Sequence, residues 1–522
     1  MTRSAEHNLA IDLARRVEEA PDRTALWFED GRSWTYDGLA SWAQAIADDL
    51  RGRGLQPGDR VAVCLPNRPE LVAALFGSWT AGVVPVTISA LYNDDELRKS
   101  VDRVDAKLVI APQERAHVFA DGPLPVAELA ADPGARGAKL APHPVDPDDD
   151  GVVLFTGGTT GAPKAVRLSH GGVRGALARL ARASKGGKEG PYPIAPESVT
   201  PNLLVLPLFH SGGQHALLFA FHVGRSAVLC ERFRVETVAR LVAEHEIDNL
   251  FLMPTMIYDL VQAPPEVRLD AVRSVLVSGQ ALDPELRRQF EERFNIPILS
   301  NYGSTEIGHV AGWTARDLRE GRWKPGAAGR LYEGVEIQLR DEDGNEVPRG
   351  ETGEIWVRTA VTKGYVARDE DAASVIVDED GWVNSGDMGY LDEDDVLFLV
   401  GRSRDMIKTG GFQVWPSELE TVLRGHPWVS DVAVAGAPDP RLGEIPKALV
   451  VLSEEGRGRD PQEVTDALVA LLREKLAHFK AARAVAFVDE LPRTQAGKID
   501  RAAVSRLARE REGLRPTDAA LR

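Results

Sequence analysis

VLFTGGTTGAPKAV, residues 153–166, decides how the rest of the chain is read. Val153, Leu154 and Phe155 read as a buried strand. It runs from Thr156 into Gly157, Gly158, Thr159, Thr160 and Gly161, and Lys164 follows. Glycines let backbone N–H groups approach phosphate oxygens closely. Threonine hydroxyls add neutral donors and Lys164 adds a positive charge. This is not the Walker loop, which needs Gly-Lys-Ser/Thr opening a helix. Here Pro163 precedes the lysine and Ala165 follows it.

Upstream, helix and strand patterns alternate. WFEDGRSWTY carries a DG turn between alternating residues and predicts a hairpin. RVAVCLP, VVPVTI and KLVIA predict strands. PELVAALFGSWTAG predicts an apolar helix ending at Gly82, and DDELRKSVDRV predicts another helix. Downstream the order repeats. LLVLPLFH, SAVLCE and DNLFLMP are strand-like, GGQHALLFAFHVG is a helix ending at Gly224, and VETVARLVAEHE is a second helix. Two βα layers inside one large domain are expected. Residues 131–150 and 184–201 are rich in Pro, Gly and charge and read as loops. Near residue 400 the texture changes to WVNSGDMGYLDEDDVLFLVGRSRDMIKTGG, a hairpin and a charged turn. The strands DVAVAG, KALVVL and RAVAFV follow. The expected fold is α/β: a multi-layer N-terminal domain with a β-rich subdomain (1–402) and a small mobile α+β C-terminal domain (403–522).

Bulk properties bound the function. The 522 residues carry a net charge of −17, which argues against nucleic acid and anionic membrane as partners. No stretch approaches 18 uninterrupted apolar residues, so no membrane span is expected. The N-terminus lacks the apolar core of a signal peptide. Cys64 and Cys230 sit in apolar, strand-like contexts and read as reduced thiols of a cytoplasmic protein.

Four further segments carry candidate chemistry. NYGSTE (301–306) offers Tyr302 beside Gly303 for a base or ribose, Thr305 for a phosphate and Glu306 for Mg²⁺. Read alone, it is equally an ordinary turn. SGD (385–387) offers Asp387 to ribose hydroxyls, and GRSRDMIKTGG (401–411) offers Arg402. LPRTQAGKIDR (491–501) places Lys498 on a Gly-led turn.

Together these segments, in this order, resemble the adenylate-forming superfamily of acyl- and aryl-CoA synthetases, peptide-synthetase adenylation domains and beetle luciferases. The resemblance runs over nearly the whole chain. It implies that Thr156 to Lys164 hold the ATP phosphates and that Ser278, Gly279 and Gln280 contact adenine. It implies that Asn301, Tyr302 and Gly303 line the adenine and acyl pocket, and that Thr305 contacts the α-phosphate. Glu306 would bind Mg²⁺, Asp387 and Arg402 would hold the ribose, and Lys498 would reach the reacting carboxylate. Lys408 with Gly410 and Gly411 would flank a thiol channel, and Arg404 would be the hinge. Gly157 stands where many relatives have Ser or Thr, and Ala165 replaces a usual glycine.

The resemblance also bears on the acid. His210 stands where amino-acid-activating relatives place an aspartate for the substrate ammonium. An α-amino acid is disfavoured, because its buried ammonium would lack a partner. Phe209, His210, Gly212, Gly213, Met253, Met256 and Gly303 are the expected acyl pocket, with Tyr258 a further candidate. Small residues and flexible methionines suit a bulky apolar acid: fatty, aromatic or alicyclic. No carrier site follows Lys498, so coenzyme A is preferred to a carrier protein as acceptor. The expected enzyme is an acid–thiol ligase using ATP, Mg²⁺ and coenzyme A. A homodimer is the assembly to test. The alternative is an adenylating enzyme that serves a partner protein or runs one half-reaction.

Overall fold

The computed structural model describes residues 3–120, 122, 124–134, 136–156, 164–184, 192–280, 282–359, 361–366, 377–409, 412–494 and 498–517. Gly157, Gly158, Thr159, Thr160 and Gly161 of the glycine loop, residues 185–191, and the pair Gly410 and Gly411 lie outside the described residues.

The chain divides into two compact units. The larger comprises Met1–Thr156, Pro163–Ile337 and Val357–Ser385, and the smaller contains Gln338–Trp356 and Gly386–Arg522. In the larger unit, a seven-stranded sheet has the order Thr362–Tyr365, Lys164–Ser169, Asp150–Thr156, Val84–Thr87, Arg60–Val63, Leu108–Ile110, Val126–Ala127. The strands from Asp150–Thr156 onward run parallel, as buried βα units do. Helix Pro69–Ala81 is buried along almost its whole length and ends at Gly82, whose φ of +81° closes it. Cys64 and Cys230 are free and buried, and burial pushes both thiols up to about 12.

The hairpin predicted from WFEDGRSWTY forms, as Thr24–Phe28 and Ser33–Thr35. It does not join the strand that follows it in sequence. Thr24–Phe28 pairs with Ala227–Leu229, which pairs with Asn202–Leu204, making a four-stranded sheet. The strand read in LLVLPLFH stops at Leu204. Pro207 cannot donate to a ladder, and the chain turns through Leu208–His210. Further on, Asn249–Leu252, Ser274–Val277 and Ile298–Ser304 run parallel. Gly308–Gly312 and Ala327–Leu331 then return antiparallel. Part of the 184–201 loop is tied down. The backbone N–H of Ile194 donates to Glu19, and the Tyr192 carbonyl accepts from the buried Arg16.

In the smaller unit, Asp387 pairs with Arg402 and Leu391 with Leu397 across an antiparallel ladder. A second sheet orders Phe412–Val414, Ile407–Thr409, Gly443–Leu452 and Val429–Asp439, with Ala484–Phe487 parallel to Gly443–Leu452. Helices Pro416–Arg424 and Pro461–Lys475 bury Leu419, Leu423, Leu468 and Leu472 in its core.

Candidate active site

Asp150–Thr156 and Lys164–Ser169 form one antiparallel pair, with Thr156 opposite Lys164. The two strands that flank the glycine loop in sequence are therefore paired with each other, beside the parallel strands. Lys164 Nζ lies 5.1 Å from the Tyr365 ring centroid, within cation–π range.

A second turn is built around Pro207. His210 is extended (φ −112°, ψ 151°) and caps helix Ser211–His222. Its ring lies 4.6 Å from that of Phe209. Gly213 permits this turn, since a Cβ there would sit 2.2 Å from the Pro207 carbonyl oxygen. Gly212 is less constrained, facing Leu206.

The third element is the reversal after Ile298–Ser304. Ser211 Oγ lies 3.0 Å from Thr305 Oγ1, which ties the histidine turn to the NYGSTE turn. Asn301 donates to Ser278 Oγ at 3.1 Å, bringing together two segments assigned to the adenine. Tyr302 is buried and Gln280 half-buried. Gly279 has φ +90°, a conformation that favours glycine. Gly303 stands opposite His309, and a Cβ on it would meet the Gly308 carbonyl oxygen at 1.9 Å.

Glu306 Oε2 accepts from Ser304 Oγ at 2.8 Å. Among the described residues, no group of three or more His, Cys, Asp or Glu side chains could cage a metal. A lone carboxylate is still compatible with Mg²⁺, which usually keeps several waters and takes one or two carboxylates plus substrate phosphates.

Met256 is buried with Ile257 and Leu260 in the core around Asn249–Leu252, and Met253 packs at its edge. Tyr258 is half exposed on the same helix. In the smaller unit, Arg402 Nε makes a 3.1 Å ion pair with Asp387, so the two ribose candidates are cross-strand neighbours. Arg404 lies in a single 3₁₀ turn, Ser403–Asp405, directly after the strand that ends at Arg402. Lys408 Nζ is 3.5 Å from Glu342 Oε1 and mostly exposed. Lys498 is half-buried, and its carbonyl accepts from the Thr494 N–H. Asp500 then caps helix Arg501–Glu510.

Sequence reasoning does not single out Ser211, His215, His309 or Tyr332. Tyr332 OH donates to Asn301 Oδ1 at 2.9 Å, and His215 Nδ1 meets His309 Nε2 at 3.3 Å. The available signal was a histidine five positions after His210 and another three after Glu306, each followed by apolar residues.

Comparison with known proteins gives the family and the fold. The family "AMP-binding enzyme" matches residues 13–366, and "AMP-binding enzyme C-terminal domain" matches residues 418–498. The chain is 30% identical to 4-coumarate–CoA ligase 2 of Nicotiana tabacum, over 89% of this chain and 88% of that protein. It is 33% identical to a feruloyl-CoA synthase of an Amycolatopsis species, over 94% and 97%. The crystal structure of ATP-bound MatB from Rhodopseudomonas palustris superposes with a TM-score of 0.85 at 27% identity, covering 96% of this chain and 99% of that one.

Proposed function

Since the chain belongs to the AMP-binding enzyme family of the adenylate-forming superfamily, and is an ATP-dependent, AMP-forming ligase, we propose that it activates a non-amino carboxylic acid as the acyl-adenylate and passes the acyl group to coenzyme A. The observation that carries this reading is the 3.0 Å contact between Ser211 and Thr305. It sets the histidine turn assigned to the acid beside the threonine assigned to the α-phosphate.

The physical problem is an anion attacking an anion. The acid's carboxylate must approach the α-phosphorus of ATP. Lys164 and Lys498 offset the repulsion and stabilise the charge left on pyrophosphate. Thr156, Lys164 and the glycine loop bind the phosphates. Asp387 and Arg402 hold the ribose, and Ser278, Gly279, Gln280, Asn301 and Tyr302 hold the adenine. Glu306 would hold Mg²⁺, which supplies electrostatic neutralisation of the phosphates when bound. Orientation provides much of the rate, because the protein forms no covalent bond. His210 offers no negative charge to an α-ammonium group. Phe209, Gly212, Gly213, Met253 and Met256 form the acyl side with Gly303.

Thiol transfer uses the 403–522 segment in a second pose, with Arg404 as pivot and Lys408, Gly410 and Gly411 beside the thiol. Acyl-CoA synthesis is supported by the relatives' shared chemistry. The decisive experiment is ATP–pyrophosphate exchange against fatty, aryl and alicyclic acids, followed by AMP release with and without coenzyme A. Acid-dependent exchange with coenzyme A-dependent AMP release is expected. Exchange without thiol-dependent release would instead favour delivery to a carrier or partner protein.

A further inference from the structure

A chain of polar groups lies next to the acyl positions. Asn301, His309, His215 and Tyr332 are all at least nine-tenths buried. Asn301 spends one amide hydrogen on Ser278 Oγ and presents the other to His309 Nδ1 at 3.0 Å, while its oxygen accepts from Tyr332. The alternative contact, from His309 Nδ1 to the Asn301 oxygen, is longer at 3.3 Å. With Nδ1 accepting, neutral His309 carries its hydrogen on Nε2 and donates to His215 Nδ1. Neutral His215 then carries its hydrogen on Nε2. That nitrogen is buried and has no hydrogen-bond partner among the described residues.

Arg179 presents the same feature. Its Nε is buried with no partner among the described residues. It lies on helix His170–Ser184, one turn beyond Ala176. A Cβ on Gly308, the residue before His309, would lie 3.3 Å from the Ala176 Cβ. Burial holds His309 neutral, at about 3, and His215 and then Arg179 add to the effect. Burial alone brings His215 to about 4, and burial with Arg182 lowers Arg179. No carboxylate among the described residues acts on any of the three. Two buried donors without an acceptor among the described residues, His215 Nε2 and Arg179 Nε, thus belong to side chains that act on His309. A buried donor left unpaired loses its hydration with nothing in return, and a charged group loses more.

The surroundings point to the substrate. His309 is the cross-strand partner of Gly303, and His215 lies one turn along the helix that His210 caps. We propose that Arg179, His309 and His215 form a subsite for a second carboxylate, at the end of the acid remote from the group that is adenylated. This rests on the acyl-site assignment above. The acid has an apolar body and an anionic far end. Its distal oxygens accept from His215 Nε2 and from the Arg179 guanidinium. An acid with a methyl or hydrogen at that end leaves both donors unpaired.

The test is ATP–pyrophosphate exchange with matched acids: octanoate against octanedioate, and cinnamate against 4-carboxycinnamate. At least one diacid should exceed its monoacid partner in kcat/KM by tenfold or more. In Arg179→Met that ratio should fall at least tenfold, with Arg179→Lys recovering part of it. His215→Phe provides an independent variant should the first fail to fold. Exchange in which neither diacid is preferred by wild type, or a ratio unchanged in both Arg179→Met and His215→Phe, overturns the subsite and leaves adenylation intact. No exchange with any acid overturns the adenylation reading as well.

Discussion

Glu420→Gln removes the charge from a carboxylate whose side chain is 2% exposed. Its Oε1 accepts from the Val434 N–H at 2.8 Å and from Arg501 Nη1 at 2.6 Å, and its Oε2 accepts from Arg501 Nη2 at 2.9 Å. The pair joins helix Pro416–Arg424 to the first residue of helix Arg501–Glu510, three positions after Lys498. Removing one partner of a buried pair costs roughly 3–5 kcal/mol, because the other charge stays buried. Glutamine keeps the volume and an acceptor for Val434, so the lower end applies, about 3 kcal/mol. That is on the order of a 10²-fold rise in local opening. Hydrogen exchange on peptides covering Val429–Asp439 and Arg501–Glu510 reads it directly, and pyrophosphate exchange should fall as the Lys498 segment loosens. Burial alone would raise the Glu420 carboxyl, but the hydrogen bonds and charge of Arg501, then Arg424, outweigh it and hold the group below its ordinary 4.5. A depressed folded value means the stabilisation is complete above the ordinary 4.5 and fades as pH falls through the folded value. The variant and the wild type should therefore converge in acid. An exchange change worth less than about 1 kcal/mol at neutral pH would refute the reasoning, by showing that the pair is no better than a neutral hydrogen bond.

Lys498→Ala should lower pyrophosphate exchange by on the order of 10²–10³-fold, as for one lost electrostatic contact. Thiol transfer from a supplied acyl-adenylate should survive, and exchange within tenfold of wild type counts against the assignment. Glu306→Gln should raise the Mg²⁺ concentration needed for half-maximal exchange, and an unchanged titration places the metal elsewhere. Gly213→Ala drives a Cβ to 2.2 Å from the Pro207 carbonyl oxygen and should destabilise by roughly 1–3 kcal/mol in urea unfolding. Its exchange activity should fall too, and full activity would mean that the turn carries no substrate contact. Arg404→Pro fixes φ at the proposed pivot. Adenylation should persist while thioester formation falls at least about tenfold, roughly 1.4 kcal/mol in barrier; equal losses in both half-reactions exclude it as the pivot.

Much of this protein was legible in its residues. The strand entering the glycine loop, the helix ending at Gly82 and the hairpin at residues 24–35 are local features. Each is written in a period or a turn residue within about fifteen positions. The order of the motifs was enough to indicate the family. The candidate residues likewise came from short segments, since a turn brings Thr305 and Glu306 together without help from the rest of the chain.

Partnerships between distant segments were decided by tertiary structure alone. Alternation shows that Thr24–Phe28 has an apolar face, but not that its edge would pair with Ala227–Leu229, two hundred residues away, instead of a nearer strand. Nothing in SGD or GRSRD says that Asp387 and Arg402 stand opposite each other, because register depends on the length and bulges of the intervening hairpin. The cluster of Arg179, His215 and His309 is the clearest case. Each looks unremarkable in its own helix or strand. Only the packing of two helices against Gly308–Gly312 buries all three together, and burial turns ordinary nitrogens into donors that need an acceptor.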